Sequence, residues 1–490
     1  MKDMKDKLFS KLLAVVIIYL TTGCTHLSKN IPEYKIDIDA NKQFQTIEGF
    51  GVNINPDQWR DGNLKKVIDL LVDDLGCQFF RFDCFGYADW LDPAKRDKTG
   101  KYSNEYLKEI YTSKRFHDAW ETFRYLNSKG VEPFFNVSGK INLSFGETEK
   151  PNQLADFEGY AEMVITMLKW ARTNENLKFS LFAPFNETDL SYPEGPGISS
   201  AGTVPSIRAI IKKLNEYGLS DVKLIIMDDN GVRFHKLHQI LNDTTIFPYI
   251  SRFAVHTYGI GSEQYAQWWQ SKSEYGMLAD SVKNSLYTKC GLWLTEFGDL
   301  DQTGLSEFDF SLTVTRRLMK CLKEGYSAGL FWDAMDNYHR HDNSWSTYGL
   351  LKTDTLTWSY NARQRLYALK QVYKYVRPGF KMINLREAIQ TRIYDVYRQY
   401  HDTINHINML AFVSQDNKDF TIVGMNKIEG EFNLVIGLEG MSPETYNKKV
   451  SYLRTSRNEN CLKVDNIALK GKSLKIRLKE NSIFTLTTLK

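Results

Sequence analysis

The sequence predicts an α/β protein, a (β/α)8 TIM barrel followed by a C-terminal β-sandwich that also takes in a strand from the N-terminal end. Short apolar runs alternate with longer helical patterns from about residue 47 to residue 375, which is how repeated βα units read in sequence. After Tyr375-Val-Arg-Pro-Gly379 the pattern switches to short alternating strands with turn residues. At 490 residues the chain is too long for one ordinary core and long enough for a barrel of roughly 250 residues or more plus a smaller domain.

Taken in order, residues 1–23 read as a lipoprotein signal peptide. Lys2, Lys5, Lys7 and Lys11 precede the apolar stretch Leu12 to Leu20, which is too short to span a bilayer. Leu20-Thr-Thr-Gly-Cys24 then resembles a bacterial lipobox, implying cleavage before Cys24 and lipid on its sulfur. The expected location is the bacterial envelope, in the outer membrane because Thr25 and not aspartate follows the cysteine. Residues 24–46 are a tether and a first sandwich strand, with Tyr34 to Asp39 alternating in the required way.

Residues 47–375 form the barrel. Its eight strands begin at Ile47–Gly51, Cys77–Arg81, Glu132–Asn136, Phe179–Asn186, Lys223–Met227, Arg252–His256, Gly291–Glu296 and Gly329–Trp332. Tyr160–Thr173 and Thr313–Lys323 carry apolar residues at helical spacing between them. Residues 376–490 form the sandwich, with Phe420–Met425 and Ser473–Leu478 as clear strands.

Lys plus Arg (63) nearly cancels Asp plus Glu (59), so no charge field points to nucleic acid or to an acidic partner. With Cys24 removed, Cys77, Cys84, Cys290, Cys321 and Cys461 form an odd set without disulfide-framework or zinc-ligand spacing. Cys77 and Cys84, if in one strand, lie on opposite faces and about 23 Å apart, beyond bridging distance. His235 with His238 and His339 with His341 read as surface or structural histidines. These spacings give no expectation of a metal centre.

Two glutamates carry the functional signal. The fourth apolar run ends in Asn186-Glu187 and the seventh in Glu296-Phe297-Gly298, about 110 residues on. If both runs are parallel barrel strands, the two carboxylates meet at the C-terminal mouth, where barrels keep their chemistry. Two facing carboxylates are what retaining glycoside hydrolysis needs. The chain has five Asn-Glu dipeptides, and only this one ends a buried-looking strand and opens into a Gly/Pro-rich loop. Arg81, deep in an apolar run, needs an anionic partner, and the nucleophile is a natural one. His256 and Tyr258 lie two apart and point to the same side, so Tyr258 can orient Glu296. Trp332, at the end of the eighth run, is placed to floor a sugar subsite, and Trp90 is a further substrate-binding candidate.

These residues resemble glycoside hydrolase family 30. The likeness rests on Gln45-Thr-Ile-Glu-Gly-Phe-Gly51, Phe185-Asn-Glu187, Thr295-Glu-Phe297, the Pro378-Gly379 entry into the sandwich, Arg454-Thr-Ser456 and Asn481-Ser-Ile-Phe-Thr-Leu-Thr487. The resemblance implies Glu187 as acid/base, Glu296 as nucleophile, Asn186 as partner of the sugar 2-hydroxyl, and no cofactor. The chain departs at Thr188, where family members usually have proline. The expected activity is cleavage of β-glycosidic bonds by a monomer, with β-1,6-galactan, β-1,6-glucan, β-xylan and simple β-glucosides or β-fucosides as candidate substrates. A glycan-binding lipoprotein without turnover is the competing reading, and a neighbouring barrel family of retaining glycosidases is a third.

Overall fold

The computed structural model describes residues 33–83, 87–190, 194–258, 266–269, 271–298, 306–339, 343–387, 391–394, 401–404, 407–426 and 431–489. Residues 1–23 with the lipobox, Cys24, Cys84 and His341 lie outside them. Eight parallel strands close into a barrel: Gly49–Ile54, Phe79–Asp83, Phe134–Asn136, Leu181–Ala183, Lys223–Asn230, Ile250–Thr257, Gly291–Phe297 and Ala328–Phe331. Each overlaps the run expected for it. The fourth is shorter, stopping at Ala183 because Pro184 has no N–H to give the ladder.

Alternation along these strands separates two cores. Phe80, Phe82, Phe135, Phe253, Val255 and Leu294 point outward and pack beneath the helices. Trp293 points inward with Phe134, Ala183, Ile225, Ala254, Ala328 and Leu330, all fully buried. One large indole fills the space that three alanines leave, which makes the barrel interior a plug and not a pore. Two residues further along several strands the inward positions become polar: Phe79 is followed by Arg81, Phe134 by Asn136, Ala254 by His256 and Trp293 by Thr295. The plug therefore ends at a polar floor facing the C-terminal mouth.

Helix Phe157–Thr173 starts at Asp156, whose side chain accepts from the Gly159 N–H, and helix Glu307–Lys323 starts at Ser306. Glu307 and Asp309 in the first turn and Lys320 and Lys323 in the last complement the dipole of the second helix.

The second domain is a single nine-stranded sheet that folds over to form its own sandwich core. Strand Glu33–Thr46 sits inside it, parallel to Phe432–Glu439 and antiparallel to Lys381–Glu387, so the expectation for Tyr34 to Asp39 holds. Met409, Ala411 and Ile422 face the sheet's own core, whereas Leu410, Phe412, Val423 and Met425 join the barrel's core. Polar links add to this contact: Thr485 donates to the Gln371 carbonyl at 2.7 Å and Gln371 donates to Thr455 at 2.9 Å. Cys77, Cys290, Cys321 and Cys461 form no disulfide among the described residues.

Candidate active site

The polar floor is organised around Asp228, a residue the sequence reading did not single out. The fifth barrel strand has a register shift between Ile226 and Asp229, and Met227 takes a left-handed φ of 63°. This bulge turns both Asp228 and Asp229 into buried positions that simple alternation would separate. One Asp228 oxygen accepts from Arg81 (2.8 Å from Nη2, 3.2 Å from Nε) and Asn136 (3.2 Å), and the other faces His256 Nε2 at 3.0 Å and takes the Thr295 hydroxyl. Burial alone would raise this carboxyl, but Arg81 and His256 outweigh it and hold it below the usual carboxylate range.

Arg81 is fully buried and spends its fork on four side chains. Besides Asp228 it donates to Asn53 at 2.9 Å, to Asn186 at 2.6 Å and to Glu296. Glu296 reaches the cluster because a second register shift, between Leu294 and Glu296, turns it inward. Its other oxygen accepts from the Tyr258 hydroxyl. His256 Nδ1 lies 2.8 Å from Glu187 and 3.4 Å from Glu296. Burial opposes a charge on this imidazole, yet Glu296 and Asp228 raise its pKa well above the ordinary value.

Glu187 follows the fourth barrel strand in a left-handed conformation, φ 43°. Its N–H donates to the Asp228 carbonyl at 2.7 Å, and the next N–H, that of Thr188, donates to Asp229 at 2.7 Å. The Thr188 hydroxyl also donates to Asp229 and accepts from Lys236 at 2.6 Å. A proline at 188 could make none of these three bonds. This group of Thr188 with the buried Asp229 and Lys236 fixes the backbone that carries Glu187, and burial, opposed by Lys236 and aided by Asp189, pushes the Asp229 carboxyl up to about 6.

The result is three carboxylates, Asp228, Glu187 and Glu296, against two cationic side chains, Arg81 and His256. One more proton neutralises the cluster, and the Glu296 carboxyl is raised accordingly, by burial first, with His256 and Arg81 opposing and the Glu187 charge adding. Facing oxygens of Glu187 and Glu296 and a His256 nitrogen lie within 4.8 Å of one another. These three are also the one group among the described residues spaced to ligate a metal ion. Arg81 and Tyr258 already occupy both oxygens of Glu296, and a guanidinium cation beside them makes the set better suited to moving a proton.

The structure thus brings together Glu187, Glu296, Asn186, Arg81, His256 and Tyr258. Asn186 is locked by Arg81 on its oxygen and by Glu194, which accepts from its amide at 3.1 Å. Trp332 follows the eighth strand, half-buried, with its ring 5.3 Å from that of His339. Trp90 does not join them. It is 6% exposed, packed in the barrel's hydrophobic core with its ring edge-on to Phe116 at 6.1 Å, because the chain after the second strand turns back under helix Lys114–Ser128. Asp228, Asn53, Asn136 and Thr295 were missed; the signal available for the first was Asp228-Asp229 closing an apolar run.

No protein-family model and no curated protein matches the sequence. Solved structures do. A family 30 subfamily 8 xylanase from Clostridium acetobutylicum matches at TM-score 0.65 and 18% identity, over 92% of this chain and 99% of that one. The endo-β-1,6-glucanase BT3312 matches at TM-score 0.64 and 13% identity, over 93% and 94%. A family 39 β-xylosidase from Caulobacter crescentus matches at TM-score 0.57 and 12% identity, over 92% and 99%. At such identities the likeness speaks for architecture, and the architecture of this chain, barrel and sheet together, is that of the glycoside hydrolase family 30 enzymes.

Proposed function

We propose that the chain is a retaining glycoside hydrolase of family 30 that cleaves β-glycosidic bonds. The observation that carries this reading is the carboxylate pair. Oxygens of Glu187 and Glu296 within 4.8 Å fit the about 5–5.5 Å spacing of retaining enzymes better than the roughly 6.5–9.5 Å of inverting ones. Glu296 attacks the anomeric carbon while Glu187 protonates the departing oxygen, giving a glycosyl-enzyme. Glu187, now ionised, takes a proton from water, which releases the sugar with its configuration retained. Arg81 and Tyr258 aim the nucleophile, His256 lies between the two carboxylates, and Asn186 meets the 2-hydroxyl.

The xylanase and the endo-β-1,6-glucanase among similar structures support β-xylan and β-1,6-glucan as candidates beside β-1,6-galactan. The reading is tested by reducing-sugar release across these glycans, with wild type compared with Glu296→Gln. Release that depends on Glu296 is expected; binding without release by wild type would return the chain to the glycan-binding alternative. We further propose a monomer held on the outer membrane by lipid on Cys24. A diacyl anchor contributes on the order of 0.8 kcal/mol per buried CH2, so Cys24→Ala should move the protein from the detergent to the aqueous phase.

A further inference from the structure

Between the eighth barrel strand and helix Gln364–Tyr373 the chain makes two hairpins, and both belong to the C-terminal mouth. In the first, Tyr338–His339 pairs with Ser344–Trp345, placing Tyr338 opposite Trp345 and His339 opposite Ser344. Alternation gives the hairpin two faces. His339, 2% exposed, lies beneath Trp332. Tyr338 and Trp345 occupy the other face, and Tyr338 is 39% exposed. The second hairpin, Leu351–Thr353 with Tyr360–Ala362, brings Trp358 to 6.2 Å from Trp345, ring to ring. From the loop after the first barrel strand, Arg60 lays its guanidinium 3.3 Å over the Trp358 ring, and Asn63 donates to the Trp358 carbonyl at 3.0 Å.

The backbone here is strained as well as aromatic. Of ten non-glycine residues with positive φ among those described, four gather in these loops: Arg60 (47°), Asp61 (52°), Asn343 (49°) and Trp358 (53°). Trp358 closes a turn in which its own N–H donates to the Asp354 carbonyl at 2.8 Å. A left-handed position in such a turn favours glycine, and a bulky side chain there is an outlier that persists where the surroundings over-determine it. The sequence gives up turn stability to hold an indole at the rim.

We infer that Tyr338, Trp345 and Trp358 form a stacking platform for a sugar unit of a β-linked glycan, beyond the unit held between Glu187 and Glu296. This rests on the proposed glycosidase reading for the identity of the ligand. Sugar rings offer apolar C–H faces to aromatic rings. Because Tyr338 and Trp345 stand on the hairpin face opposite the His339 that packs on Trp332, the hairpin itself separates the platform from Trp332, and the platform can meet only a unit further along a chain than the one over Trp332. The platform makes the site one for chains and not for single sugars.

Isothermal titration separates this inference from the catalytic one, using Glu296→Gln protein with di- and hexasaccharides of β-1,6-glucan, β-1,6-galactan and β-xylan. For one of the three series the hexasaccharide should bind about tenfold or more tighter than the disaccharide. That ratio should fall to near one when Trp345→Ala and Trp358→Gly are added. Glycine suits the left-handed backbone, so Trp358→Gly alone, checked by its melting temperature, keeps the test valid if the double variant does not fold. Equal affinity for both lengths, a ratio that survives the substitutions, or no binding of any series overturns the platform. A lost ratio in a protein whose wild type releases no sugar supports the platform and removes the hydrolase reading; sugar release with no length dependence does the reverse.

Discussion

The two ends of the barrel each hold a charged cluster, and the clusters are balanced differently. At the N-terminal end Arg252 pairs with Glu48 at 2.5 Å, each side chain 24% exposed, and Glu48 also accepts from Trp293 at 3.1 Å and Ser327 at 2.7 Å. One cation meets one anion beside solvent. At the mouth, two cations meet three largely buried carboxylates, and two bulges are needed to seat the acids. The bottom end closes the barrel, while the mouth stores an imbalance that a proton resolves.

Removing the mouth's two glutamates separates their roles most sharply. Glu296→Ala should lower kcat by on the order of 10^4 or more, with added azide restoring turnover and inverting the product. Glu187→Ala should still react with an activated aryl glycoside, whose leaving group needs little protonation. Identical rescue in both variants would contradict the assignment. Stability offers the next contrast. Asp228→Ala orphans the donors of Arg81, His256, Thr295 and Asn136 and should cost about 3–5 kcal/mol in denaturant melts. Glu48→Gln at the other end should stay within about 1 kcal/mol. Equal costs would erase the distinction between the ends.

Asp229 gives a pH signature. Its carboxyl sits at about 6 in the fold against an ordinary 3.8, so between those values the folded state binds more protons than the unfolded and loses stability as pH rises. The stability gap between wild type and Asp229→Asn should therefore shift toward the variant by on the order of 2–3 kcal/mol from pH 4 to pH 7. A gap independent of pH would mean that Lys236 compensates fully. The smallest effect is expected at Thr188→Val, which removes the hydroxyl but keeps the N–H bond to Asp229. About 1 kcal/mol lost from the seating of Glu187 should lower kcat about fivefold with KM little changed.

Much of this was legible because burial is expensive for charge. Glu187, Glu296 and Arg81 stood out as ionic residues at or near the ends of apolar runs, and His256 and Tyr258 followed from strand alternation. The same rule hid Asp228. The fifth run reads as ending at Met227, since two consecutive aspartates cannot both point inward from a regular strand; only the bulge at Met227 allows it. Trp90 failed in the opposite direction: an aromatic residue in a loop after a strand suggests a binding wall, and nothing local says that the loop folds back under a helix. Composition also gave no warning of the aromatic platform, whose members are brought together only by two short hairpins.

The strand Glu33–Thr46 has a temporal consequence. Ile36 lies opposite Ile436, a separation of 436 − 36 = 400 residues, so this is a contact of very high order. While the chain is being made the barrel segment can be completed before Phe432–Glu439 exists, and through that interval the N-terminal strand is a bare edge able to pair with another chain. Closure of the sheet is thus a late event that reports on completion of the whole polypeptide, and a chaperone that holds extended segments has most to do here, at the first strand and not at the barrel.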